Sequence, residues 1–267
     1  MNERTRPTQA GAPRRFEGQV AIVTGGANGM GRAQAFKLAV EGAKVAIFDI
    51  DDLAGRRVAA DILRDGGTAA FYRVDLTRRD DVEREVDAVI SSWGPVSLLF
   101  SNAGIVIVKP YTEMTDEEYD RLMSINVRSA FLLTRKIIPH MIANGGGSIV
   151  IMSSFNASRA VPLESIYSVS KSAVEALAKN LAVEYRSRNI RCNAISPAFV
   201  RTRHGLNEIE DFKALGITWS DQALADTQLR ICEAEEVADV ALFAASSEAS
   251  FMNGAVFPVD NGWTAKG

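Results

Sequence analysis

The sequence predicts one α/β domain, a doubly wound parallel sheet of about seven strands with helices on both faces. Three observations predict it. Short apolar runs alternate with longer amphipathic stretches from about residue 16 to the C-terminus. The runs are nearly continuous in Val, Ile, Ala and Phe, which suits parallel strands covered on both faces. The first run leads into a glycine cluster and then a helical pattern, the order that builds an anion site at a helix N-terminus.

Each element follows from its own pattern. Residues 20–23 form the first strand, and the helix after the glycines runs over 30–41. A strand at 44–48 precedes a helix at 52–64, and a strand at 69–74 precedes a helix at 80–91. Residues 98–100 make the fourth strand. A long helix over 115–143 follows, opened by Thr115 and Glu118 at the spacing of a capping box. A strand at 148–152, a helix at 165–188, a strand at 191–195, a helix at 234–245 and a strand at 255–259 complete the pattern. Residues 201–230 interrupt it. They are long for a connection, they carry Leu206, Phe212, Leu215, Ile217, Trp219 and Leu224, and they follow a strand's C-terminal end, where open α/β sheets bind ligands. A substrate lid is the expectation there. Residues 1–15, rich in Arg and Pro, read as a mobile tail, and 16–267 as a single dinucleotide-binding catalytic domain.

Composition excludes several classes. At 267 residues the chain suits one large domain, and 47% hydrophobic with 24% charged residues is ordinary for a soluble globular protein. A net charge of −3 supplies no broad basic surface for nucleic acid. No apolar run approaches the ~18 residues of a membrane span, and the N-terminus lacks the apolar core of a secretory signal. Two cysteines, Cys192 and Cys232, are too few for a disulfide framework, so a reducing, cytoplasmic setting is expected. No paired Cys, Asp or Glu ligands stand at ligand spacing around His204, so no metal site is expected.

The most informative chemistry is Tyr167 and Lys171, spaced i and i+4 and so on one helix face. An ammonium beside a phenol favours the phenolate. Moving a tyrosine from its usual pKa of about 10 to about 7 takes roughly 4 kcal/mol, which a lysine and a cofactor cation could supply in a dry cleft. Such a phenol exchanges a proton with an alcohol near neutral pH. Upstream, Thr24-Gly-Gly-Ala-Asn28-Gly29-Met30-Gly31 links the first strand to the first helix. Glycines at Gly25, Gly29 and Gly31 let backbone amides approach a pyrophosphate, with Gly-x-x-x-Gly-x-Gly spacing rather than the common dinucleotide fingerprint. Asp49 closes the second strand and can accept hydrogen bonds from ribose hydroxyls while repelling a 2′-phosphate. Ile50 and Asp51 follow it, and Asn28 is not basic, so NAD is expected over NADP, with Arg32 as the residue that could argue otherwise.

With these residues assembled, the chain strongly resembles the short-chain dehydrogenase/reductase family over about residues 16–264. The resemblance implies a Rossmann-type sheet. Asp75 and Leu76 look like its adenine-contacting pair, and Asn102-Ala103-Gly104 like its signature after the fourth strand. Asn126 matches the family's helix asparagine, and Ser154, thirteen residues before Tyr167, its serine; strand alternation disfavours the neighbouring Ser153. The segment from Asn193 through Pro197 and Val200 to Thr202 resembles the part that holds the nicotinamide amide. Two residues depart from the pattern, Ala198 where glycine is usual and Asn261 where the C-terminal pair is usually Gly-Gly.

The resemblance implies hydride transfer between NAD and a small or medium secondary alcohol or ketone. Tyr167 would act as general base, Ser154 would hold the substrate oxygen, Lys171 would tune Tyr167 and hold the nicotinamide ribose, and Asn126 would position a water. Cofactor contacts would also fall at Gly25, Asn28, Gly29, Met30, Gly31, Asp49 and Ile50. Residues 105–108, 155–162 and the lid would wall the substrate, with Arg159, Arg201, Arg203 and His204 as its polar candidates. A homotetramer built on the helices at 115–143 and 165–188 is also implied. The alternatives are an NADPH-dependent carbonyl reductase and a non-catalytic NAD-binding regulator; the latter would be expected to lose Tyr167, Lys171 or Ser154.

Overall fold

Val20 and Ile22 leave the first strand on one side, Ala21 and Val23 on the other, and all four are buried. A strand with no polar side must be covered twice. In a computed structural model describing residues 14–266, seven parallel strands lie in the order β3-β2-β1-β4-β5-β6-β7. They are β1 (Val20–Thr24), β2 (Lys44–Asp49), β3 (Thr68–Arg73), β4 (Val96–Ser101), β5 (Gly147–Met152), β6 (Ile190–Pro197) and β7 (Val256–Val259).

The pleat sorts alternate residues into two cores. Ala21, Val23, Val45 and Ile47 pack with α1 (Gly29–Val40), α2 (Asp52–Arg64) and α9 (Ala234–Ala245). Val20, Ile22, Ala46 and Phe48 pack with α3 (Arg79–Trp93), α5 (Ser129–Ala143) and α6 (Ser165–Tyr185). The sheet reverses its winding between β1 and β4, the switch point where a ligand cleft opens. Thr24 ties that point together, its buried Oγ1 accepting from the amides of Asn102 (2.9 Å) and Ala103 (3.1 Å).

Three expectations change in detail. The helix foreseen over 115–143 is not uniform: α4 (Asp116–Met123) passes through a π-helical turn at Ser124–Arg128 before α5, and Asn126 lies in that turn. The capping box at Thr115 and Glu118 is present. Most of the tail lies outside the described residues, but Arg15, assigned to it, is held by Glu41 through a 3.0 Å ion pair. The interruption after β6 is two helices, α7 (Arg203–Ala214) and α8 (Asp221–Gln228), with a parallel bridge between Val200 and Cys232 closing its base. Phe199, Phe212 and Leu224 form its small core with Trp219 and Trp263.

Candidate active site

A cavity of about 640 Å³ opens across the C-terminal ends of β1 to β6 and runs under α7. Its first half is built from β1, β2, β3 and β4. Gly25 has φ +61, and a side chain on Gly31 would place its Cβ 2.2 Å from the Gly25 carbonyl, so these positions require glycine. Asn28 begins α1 with its side chain unused in capping, leaving the helix amides turned toward the cavity. Asp49 is fixed at the rim by accepting from the amides of Ala27 and Asp51, both at 3.0 Å. Arg32 does not approach it; its guanidinium lies over the Phe36 ring at 4.6 Å. Ile50, Asp75 and Leu76 border the same half, with Asp75 ordered by accepting from Thr77. Gly29, Met30, Asn102, Ala103, Gly104, Pro197, Val200 and Thr202 complete the predicted lining, so every residue predicted for the cofactor except Gly31, which is packed beneath Gly25, faces the cavity. Ala198 causes no strain: its φ is not positive and its amide reaches Val259 at 3.2 Å. Asn261 takes φ +50, a conformation asparagine tolerates, and donates to the Gln228 carbonyl at 3.0 Å.

The second half gathers the predicted catalytic group. Tyr167, Lys171, Ser154 and Asn126 are all buried. Lys171 Nζ donates to the Met152 carbonyl at 3.0 Å and lies 5.6 Å from the centre of the Tyr167 ring. Ser154 Oγ donates to Asn156 Oδ1 and accepts from the Asn156 amide, both at 3.3 Å. Ser153 turns away into the helix, donating to Glu175 at 2.9 Å and to the Lys171 carbonyl at 3.2 Å. Asn126 spends its amide on structure: its Oδ1 accepts from the Ile105 amide (2.8 Å), and its Nδ2 donates to the Ile105 carbonyl and to Ser170 Oγ, both at 2.9 Å. It braces the end of β4 against α6.

The lowered phenol expected of Tyr167 needs a cofactor cation as well as Lys171, and in the protein alone burial opposes it. The phenol is held well above its usual pKa, first by burial and then by the carboxyls of Glu208 and Glu164; Ser154 works the other way. Burial also lowers Lys171 to about 8, with Glu208 opposing. Burial penalises the charged form of both groups, raising the phenol and lowering the ammonium.

The substrate walls differ from expectation. Phe155 and His204 border the cavity, and so does Arg203. Arg159 instead donates to the carbonyls of Thr264 and Lys266 on the far side, and Arg201 pairs with Glu233 at 2.9 Å in the open. Sequence reasoning missed Glu164, Glu208, Phe199 and Trp263. Trp263 packs on Phe155 with ring centres 4.2 Å apart, and Phe199 on Trp219 at 5.0 Å. Their separation in the chain left no spacing to notice. The positive φ of Leu163 (+69) points to the Glu164 turn, but leucine signals nothing of the kind in a sequence.

The first half fits a nicotinamide dinucleotide. Asn102 Oδ1 is buried with no partner among the described residues, the glycine cradle has no room for a Cβ, and the Asp49 carboxylate is held at the rim by backbone amides. Comparison with known proteins agrees. The family model described as enoyl-(acyl carrier protein) reductase matches residues 25–264. Cyclopentanol dehydrogenase of Comamonas sp. (strain NCIMB 9872) is 36% identical over 255 residues, covering 94% of this chain and 99% of that protein. The crystal structure of levodione reductase superposes with a TM-score of 0.89 at 32% identity, covering 95% of this chain and 100% of that one. A 7α-hydroxysteroid dehydrogenase complexed with NADH and 7-oxo glycochenodeoxycholic acid superposes at 0.87 with 32% identity, covering 94% and 96%.

Proposed function

The chain belongs to the short-chain dehydrogenase/reductase family of oxidoreductases, and on that premise we propose that it interconverts a small or medium secondary alcohol and its ketone with NAD. The observation that carries the reading is the convergence of Tyr167, Ser154 and Lys171, all buried, at the end of a cavity whose other end is a glycine cradle. When bound, the dinucleotide accepts or returns a hydride. The protein's own residues handle the proton and the oxygen. Tyr167 takes the hydroxyl proton, and Ser154 holds the substrate oxygen as charge develops on it. Lys171, anchored on Met152, orients toward the ring of Tyr167 and supplies the positive field the phenol needs. Asn126 keeps Ile105 and Ser170 in place around them.

NAD rather than NADP is favoured by Asp49, a carboxylate held by two amides, and by Arg32 being occupied with Phe36. The α7–α8 segment acts as the lid over the substrate. Exposed Val169 and Val183 on α6 and Phe131 on α5 support a homotetramer assembled on those helices, and the low cysteine count a cytoplasmic setting. Absorbance at 340 nm with NAD⁺ and NADP⁺ side by side, over a panel of cyclic and linear secondary alcohols, tests the activity. Reduction of NAD⁺ by at least one alcohol, with NADP⁺ at least tenfold poorer, is expected. No reduction of either dinucleotide by any alcohol, and no oxidation of NADH or NADPH by the matching ketones, would overturn it.

A further inference from the structure

The reaction as proposed uses neither of two carboxyl groups buried against one another beside Tyr167. Glu164 is 1% exposed and Glu208 is 7% exposed. Glu164 stands at the start of α6, on the body; Glu208 lies on α7, in the lid. Asn156 Nδ2 donates to Glu164 Oε2 at 2.5 Å, and Asn156 in turn is tied to Ser154. Glu164 Oε1 is buried and receives no donor from any described residue other than the carboxyl of Glu208. Glu208 itself borders the cavity with Tyr167, Lys171 and His204, and His204 Nε2 lies 3.8 Å from its Oε2.

Two acceptors in contact must share a proton, because two buried charges of one sign repel strongly. The Glu208 carboxyl donates to Glu164 and keeps its remaining lone pairs for the cavity it borders. An apolar residue would cost less to bury at that wall. What would fill those lone pairs is a donor carried in by the substrate. A cationic donor is disfavoured there. His204 is already held neutral, at about 4, by burial and then by Lys171, and a substrate ammonium would meet the same lysine. A hydroxyl carries no such cost, and neutral His204 adds one donor and one acceptor beside it.

We propose that Glu208, backed by Glu164 and flanked by His204, is a specificity-determining group that accepts a hydrogen bond from a second hydroxyl of the substrate, so that a diol is preferred over the matched mono-alcohol. This rests on the alcohol-oxidising reading above and names its substrate class. The test compares kcat/KM for cyclohexanol with that for cyclohexane-1,2-diol and cyclohexane-1,3-diol, in wild type, E208L, E208A and E208Q. In wild type, one diol exceeds cyclohexanol by at least about tenfold, the upper end of the scale of a net hydrogen bond. In E208L that ratio falls toward one, chiefly through a raised KM for the diol, and E208A decides if E208L does not fold. E208Q, whose amide keeps a donor toward Glu164 and a carbonyl acceptor toward the cavity, retains the ratio within about threefold. Turnover of cyclohexanol with a diol ratio near one in wild type, or a ratio unchanged in E208L or E208A, overturns the inference and leaves the alcohol-oxidising reading intact. A wild-type preference for 2-aminocyclohexanol over both diols overturns the hydroxyl assignment. Failure of every alcohol and ketone with either dinucleotide removes both.

Discussion

The two ends of the cavity are made of different material. At the β1–β3 end much of the wall is backbone, a glycine cradle and amides at the start of α1, with Asp49 pinned by two N–H groups and Ile50, Asp75 and Leu76 beside it. At the β5–β6 end the walls are side chains brought from far apart and sealed from water, among them Lys171, Tyr167 and Glu208, with Glu164 buried nearby. Backbone presents the same donors whatever the neighbours do, so the first end recognises a constant ligand. The second end sets ionisation states, and there burial decides more than sequence proximity. Lys171 sits beside Tyr167 as the spacing requires, yet the phenol of the protein alone is held up rather than down. In the reading proposed above, the bound cofactor adds its positive charge to that of Lys171 in making Tyr167 a base.

The sharpest break between the two ends is Tyr167→Phe. It is expected to cut kcat by about 10²- to 10⁴-fold, the range for a positioned acid–base group, with dinucleotide affinity by fluorescence titration changed less than about threefold. A comparable loss of affinity would mean that the ends are not separable. Asp49→Ala attacks the other end. A hydrogen bond to a charged group is worth about 1.5–3 kcal/mol, so KM for NAD⁺ should rise roughly 10- to 100-fold, with NADP⁺ gaining relative to it. Unchanged discrimination between the two dinucleotides would remove Asp49 from the ribose site.

The smallest effect is on stability. Glu164 is pushed up to about 7 by burial, with Asn156 opposing. A folded-state pKa above the usual carboxylate value means that stability is complete below about 4.5 and is lost as pH rises through about 7. Glu164→Gln removes that titration. Urea unfolding should show the variant gaining on the order of 1–3 kcal/mol over wild type between pH 5 and pH 8. An equal difference at both pH values would place the shared proton elsewhere.

The legibility of each end follows from the same contrast. Local chemistry was readable: α2 and α9 begin and end where their patterns do, and the glycine cradle, Asp49 and Asn102 stand together as adjacency in a βαβ unit requires. Ser154 over Ser153 followed from strand alternation alone, and Ser153 does point into α6. What escaped notice depends on tertiary contact. Glu164 and Glu208 meet only because α7 folds back over the cavity, and no periodicity relates them. Arg159 and Arg201 lay in the right stretches but on the wrong sides of them, since a loop carries no period from which to infer direction. The π-helical turn around Asn126 left no mark because its residues suit an α-helix equally well.

The parallel bridge between Val200 and Cys232 has a further consequence. It brings the two stems of the α7–α8 excursion side by side, where the Cys232 amide reaches Phe199 at 3.0 Å and the Arg201 amide reaches Cys232 at 2.7 Å. Beyond that clasp Gln228 donates to the Phe199 carbonyl and accepts from its amide, and Trp219 packs on Phe199 and Trp263, so the excursion is seated on the body as well as on its base. Grafting another such segment between Val200 and Cys232, with those seats kept, would rewrite the roof of the reaction chamber while the sheet and the nucleotide cradle beneath keep their registry.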